Sequence, residues 1–288
     1  MIPVGNQRLR VRTALWAVSL MLAFEALPAK ANEFALAVSP PRFELSAKTG
    51  ETVRAVAELS NRSDVPAELT FTTAEWELTA DGGVVLTEAL KPGSCRPWVA
   101  IERRQTSLPG RTSLRYRFEV TPPPETPPTE CRFAIVIAGG DSNVTPAENV
   151  KFPVSGQIAL IVYVAVGDVK PALRIVKADV VPIGGVPTPV VMVENTGTAH
   201  GRLSAFLSGT DAAGVRREFS PSTLPILPQE TRMIALNPDY GEELLEAEDT
   251  AQSKAKEPIV FPITIAGEMD DSTNSFKFEG VFEPDVQE

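Results

Sequence analysis

The chain of 288 residues holds one histidine and two cysteines, which limits its chemistry at the outset. A neutral-pH general base would have to be His200, set in the run Gly197-Thr-Ala-His-Gly201. An imidazole needs a nucleophile and an orienting acid to make a catalytic set, and the sequence supplies no such pattern. A histidine in a glycine-flanked turn is expected to be exposed. No glycine-rich phosphate loop, Cys/His cluster or nucleophile elbow occurs. The expectation is a protein that is not an enzyme and takes no cofactor and no metal. Glu75 and Glu77 fall on one strand face and read as solvating surface acids. Glu242, Glu243, Glu246, Glu248 and Asp249 lie in an acidic stretch, 241–256, that lacks the Gly and Asp/Asn spacing of a calcium loop and reads as a solvated helical turn. Cys95 and Cys131 are either one disulfide or two buried thiols. Asn61-Arg-Ser63 and Asn143-Val-Thr145 fit the glycosylation pattern.

The elements that would position these residues begin with an export signal. Residues 1–12 carry Arg8, Arg10 and Arg12 and no acid, and an apolar run follows from Ala14 to Phe24. Ala29-Lys30-Ala31 then forms a small-residue cleavage site, so residues 1–31 read as a signal peptide cut after Ala31. The apolar run is shorter than the roughly 20 residues a bilayer span needs. Export favours the disulfide for the cysteine pair. It also places the chain in the periplasm or outside the cell, with no membrane insertion. Loss of four basic residues and one acid takes the formal charge from −10 to −13. Such an acidic protein lacks the cationic surface that nucleic acid requires.

Twenty-six prolines and nineteen glycines punctuate short Val-, Leu- and Phe-rich runs, the rhythm of an all-β chain. Strands are expected over 35–38, 42–45, 52–60, 68–78, 84–87, 98–103, 113–120, 132–138 and 152–166. A second series falls over 172–181, 186–194, 202–208, 215–219, 231–236, 259–267 and 275–282. Pro40-Pro41 interrupts the first strand, where the chain either switches sheets or follows an edge. The halves echo each other. A strand ending at Asn61 and a later Leu108-Pro109-Gly110 turn match a strand ending at Asn195 and a later Leu227-Pro228-Gln229 turn. The expected architecture is therefore two immunoglobulin-like β-sandwich domains in tandem, 32–168 and 169–288.

Most strands alternate, as in Leu114, Tyr116, Phe118 and Val120 against Arg115, Arg117 and Glu119. Two do not. Residues 132–138 and 157–166 are apolar on both faces. On the second of these, Ile158, Leu160, Val162, Val164 and Val166 share one side, and Ala159, Ile161, Tyr163 and Ala165 share the other. A sandwich strand has one core to face, so the second row needs a cover: the second domain, the loop 139–151, or a partner protein. A partner would add a strand along the 157–166 edge.

These residues resemble the periplasmic pilus-assembly chaperones, the PapD-like family. The resemblance rests on Ala37-Val-Ser-Pro-Pro-Arg-Phe-Glu-Leu45, Leu59-Ser-Asn61 followed by Pro66, and Leu108-Pro-Gly110. Glu130-Cys-Arg-Phe133 and the closing strand complete it. It covers the first domain. It implies that the protein lends its final strand to an exported pilus or surface-assembly subunit, with Arg42 anchoring the subunit's terminal carboxylate. Arg42, Ile158, Leu160, Ile161, Val162, Tyr163 and Val164 would form the partner-binding surface. The family's second anchor, a lysine on the final strand, has no counterpart, and Gln157 or its neighbours stand there. The alternative expectation is a structural envelope or surface-matrix protein whose sandwiches act as spacers, with residues 154–166 covered within the monomer.

Overall fold

A computed structural model describes residues 35–139, 142–147, 150–154, 156–239, 258–271 and 273–284. The expected signal peptide and the acidic stretch 241–256 lie outside the described residues. The first twelve strands are β1 (Leu36–Ser39), β2 (Arg42–Ala47), β3 (Val53–Asn61), β4 (Ala67–Leu78), β5 (Val84–Thr87), β6 (Val99–Ile101), β7 (Gln105–Leu108), β8 (Ser113–Val120), β9 (Thr129–Gly139), β10 (Ser142–Ala147), β11 (Val150–Val154) and β12 (Gln157–Val166). They form a β1-β3-β8-β6 sheet, a β2-β12-β9-β4-β5 sheet with β7 also on β4, and the separate β10-β11 pair.

The core between the two main sheets follows from the alternation in sequence. Tyr116, Phe118 and Val120 of β8 point inward and meet Phe71, Phe133, Ile135 and Ile137 from the facing sheet. The diproline marks a sheet switch: β1 pairs with β3 in one layer, and β2 pairs with β12 in the other. Cys95 and Cys131 form a disulfide.

Three local expectations need correcting. The segment 139–151, expected as a loop, contains β10 and begins β11, which pair antiparallel as a hairpin. The strand expected over 152–166 is two, one ending at Val154 and one beginning at Gln157, and the Gly156 carbonyl before the second accepts from the Gly139 amide. β7 was not expected, because Gln-Thr-Ser-Leu shows little apolar alternation; pairing with β4 makes it a strand.

The second sandwich comprises β13 (Leu173–Ile183), β14 (Val186–Asn195), β15 (Ser204–Asp211), β16 (Arg216–Pro221), β17 (Thr231–Asp239), β18 (Ile263–Asp270) and β19 (Ser275–Phe282). They form one continuous path, β13-β14-β17-β16-β15-β18-β19. β17 joins its two layers: Thr231 to Ala235 pair with β14, and Leu236 to Asp239 pair with β16. A separate core of Val191, Val193, Leu207, Phe219, Ile234, Ile265 and Phe282 fills it.

The echo between the halves is also a repeated hydrogen-bond motif. Asn61 donates to the Val65 and Leu108 carbonyls and accepts from the Ser63 amide. Asn195 donates to the Ala199 and Ile226 carbonyls and accepts from the Gly197 amide. Each asparagine ties its own turn to a distant loop. The two partner loops even share a left-handed residue, Arg111 at φ 58° and Gln229 at φ 63°. Asn61 is buried with its amide fully engaged, which removes it as a glycosylation acceptor.

Candidate functional site: the domain junction beside β12

β12 is an interior strand for most of its length. It pairs antiparallel with β9 throughout and parallel with β2 from Ile161↔Arg42 to Val166↔Ala47. Residues 157–160 have no β2 partner, because Pro40-Pro41 carries the chain to the other sheet before it reaches them. Among the described residues, only this short stretch of β12 presents an open edge, far less than the sequence implied.

The expected binding residues separate accordingly. Leu160, Val162 and Val164 are fully buried in the first core, which is not a partner-facing position. Ile158, on the same row, is half-buried where the core ends. The opposite row is buried at Tyr163 and half-buried at Ala159, Ile161 and Ala165. Tyr163 is 3% exposed and packs edge-on against Trp76, with Ile161, Leu86 and Leu227 around them. Leu227 comes from the second sandwich, so the second apolar face is a domain–domain contact.

Polar groups complete that contact. The Arg232 guanidinium donates to the Thr79 carbonyl at 2.8 Å and to the Leu78 carbonyl at 3.4 Å. Leu224 presses on Gly82, whose φ of 86° favours glycine and whose missing Cβ would lie 2.8 Å from the leucine. On the other side His200 stacks on Tyr163 with centroids 3.8 Å apart. Its ring Nδ1 donates to Glu130 Oε2 at 2.6 Å. The expectation of an exposed turn histidine is overturned, because the His200 backbone N–H and ring both bond Glu130 and the ring stacks on Tyr163 of the first sandwich. Glu75 is likewise buried rather than solvating, 3.7 Å from Arg96.

Arg42 lies at this junction and is half exposed, its Nε 2.8 Å from Glu44 Oε1. A residue that sequence reasoning missed converges on the same oxygen. Arg202 Nη2 is 3.9 Å from Glu44 Oε1, and its guanidinium lies over the Tyr163 ring. Among the described residues, Arg202 Nε and Nη1 are buried donors with no acceptor. Burial, with the like charge of Arg42 adding to it, pulls Arg202 below the usual guanidinium range. No local motif marks Arg202; its role arises only when β15's approach is folded against β2. A cavity of about 260 Å³ opens nearby, lined by Trp76, Glu130, Arg132 and the disulfide.

Two guanidinium groups, one half open and one under-satisfied, thus converge on a single carboxylate beside an uncovered strand edge. The chain is similar to several solved chaperone structures. The chain is similar to the class 5 fimbriae chaperone CfaA at 10% identity, covering 86% of this chain and 99% of that one, with a TM-score of 0.43. For the Pseudomonas aeruginosa CupB2 chaperone the values are 12%, 86%, 100% and 0.44. For a Salmonella enterica structure of the SafA pilin in complex with the SafB chaperone they are 15%, 86%, 97% and 0.46. No family model and no curated protein matches. At these identities and TM-scores the likeness carries no argument about function.

Proposed function

We propose that the protein is a chaperone-like binder of exported pilus or surface-assembly subunits. It takes an extended client segment along the open edge of residues 157–160 and holds a client carboxylate between Arg42 and Arg202. The observation that carries this reading is the convergence of Arg42 and Arg202 on one carboxylate next to that edge. Strand addition supplies backbone hydrogen bonds, and the charge-assisted bonds fix where the segment ends. Glu44 supplies the carboxylate in the free protein and would be displaced by the client's.

The test is calorimetric binding of a synthetic extended peptide of alternating apolar residues, as the free acid and as the C-terminal amide. The free acid should bind about 10–100-fold more tightly, the worth of a charge-assisted bond. Arg42→Ala and Arg202→Ala should each erase that difference, and Glu44→Gln should strengthen free-acid binding. Equal affinities for acid and amide would remove the carboxylate from the reading.

One observation favours the spacer reading instead: both side-chain rows of β12 from Leu160 onward are covered within the monomer apart from half-buried Ile161 and Ala165. A spacer binds neither peptide.

A further inference from the structure

The chain's one imidazole sits at the domain junction in a geometry that only its protonated form completes. Glu130 Oε2 receives both the His200 backbone N–H at 2.9 Å and ring Nδ1 at 2.6 Å. A carboxylate only accepts, so Nδ1 carries a proton. On the far side of the ring, Nε2 lies 3.5 Å from Glu44 Oε1. In the neutral ring Nε2 would be a bare lone pair facing a carboxylate. In the imidazolium it is a second N–H pointing at one. The Glu130 side chain is 3% exposed, and its other oxygen has no hydrogen-bond partner among the described residues.

We propose that His200 is a proton-operated latch between the two sandwiches, closed by the imidazolium and loosened when it deprotonates. The groups facing it come from every neighbouring element. Glu44 and Arg42 stand on β2, Glu130 and Arg132 on β9, and Tyr163 on β12, while Arg202 follows on its own segment. The three guanidinium groups oppose protonation through space, yet none hydrogen-bonds Glu130; the nearest, Arg132 Nε, is 4.0 Å from Oε1. The imidazolium is therefore the cation in direct contact with a buried carboxylate, and losing its charge leaves that carboxylate poorly compensated. Arg232's bonds to the Leu78 and Thr79 carbonyls fasten the other side of the junction without His200. Deprotonation thus frees one side of the junction while the other stays fastened, as in a hinge. The latch does not depend on any client.

A single histidine makes the test direct, because its NMR imidazole signal reports one site. Amide exchange of the purified protein is followed between about pH 5 and 9, the range in which an imidazole changes charge. After correction for intrinsic exchange, protection of the His200 amide should fall about tenfold as the imidazole signal moves from protonated to neutral, because the buried Glu130 carboxylate loses its contacting cation and keeps only neutral donors. The Val191 amide, in the second core, should not change. In His200→Gln, which keeps a neutral donor, the step should vanish. Flat His200 protection across the imidazole titration, an imidazole that never changes state, or a step that persists in His200→Gln would each overturn the proposal. Where the variant fails to fold, the wild-type amide measured against its own imidazole decides.

Discussion

At the scale of single residues, the two asparagines are the strongest structural commitments in the chain. Asn195 is fully buried; its amide donates at 2.8 and 2.9 Å, and its oxygen accepts from the Gly197 and Ala172 amides. Asn195→Ala strands those buried partners and should cost about 2–4 kcal/mol in urea unfolding of the second sandwich. Asn195→Asp should cost more, since it sets an acceptor against two carbonyls. Asn61→Ala should do the same to the first sandwich. Tyrosine supplies a second residue-scale expectation. Burial pushes the Tyr163 hydroxyl up to about 12, against the opposing charge of Arg202, and burial raises Tyr116 as well. The folded state thus prefers the protonated phenol. The resulting stabilisation is fully present below the ordinary value near 10 and is lost as pH rises through about 12. An alkaline absorbance titration should show these two phenols ionising late, together with loss of native structure.

At the scale of elements, β12 shows what sequence pattern can and cannot tell. Its rows are apolar on both faces; in the structure the core row is buried from Leu160 onward, while the other row is buried at Tyr163 and half-buried at Ala159, Ile161 and Ala165. Pattern alone does not say what covers the second row, because Leu227 and His200 reach it from more than thirty residues downstream. Nor does it show that β2 seals the strand from Ile161 onward, since parallel pairing has no local signature. The Asn-and-turn repeat was legible because each copy is built from neighbours in sequence, with only the last bond reaching a distant loop. The glycine-flanked setting of His200 misled for the same reason: a turn can be local in sequence and still be buried by another domain. The open edge has a measurable consequence. Successive amides in a strand point to opposite sides, so within residues 157–160 alternate amides lack a strand partner. Those amides should exchange orders of magnitude faster than the amides of Val162 and Val164, which lie between β9 and β2. Bound client peptide should slow them, and a spacer protein would show no such change.

At the scale of the whole molecule, two cores are joined by a smaller contact, and the cross-link belongs to one core only. The disulfide spans 36 residues and ties Cys95, beside the turn Arg96–Trp98, to Cys131 of β9. Both half-cystines are buried in the first core, and neither touches the second. Closing a loop of that length restricts the unfolded chain and stabilises by about 3–4 kcal/mol. Cys95→Ala combined with Cys131→Ala should therefore lower the unfolding transition of the first sandwich in calorimetry. The second sandwich feels this only through the junction, where Arg232 and Leu224 grip the β4–β5 turn and His200 grips Glu130. If those contacts are worth little against the second core, its transition stays in place while the first moves down, and the two peaks separate. If the junction couples the sandwiches strongly, both peaks fall together. Adding His200→Gln to the cysteine pair distinguishes the cases: in a strongly coupled molecule it should release the second transition and restore separate peaks, because it loosens the one charged contact that faces a buried carboxylate across the junction.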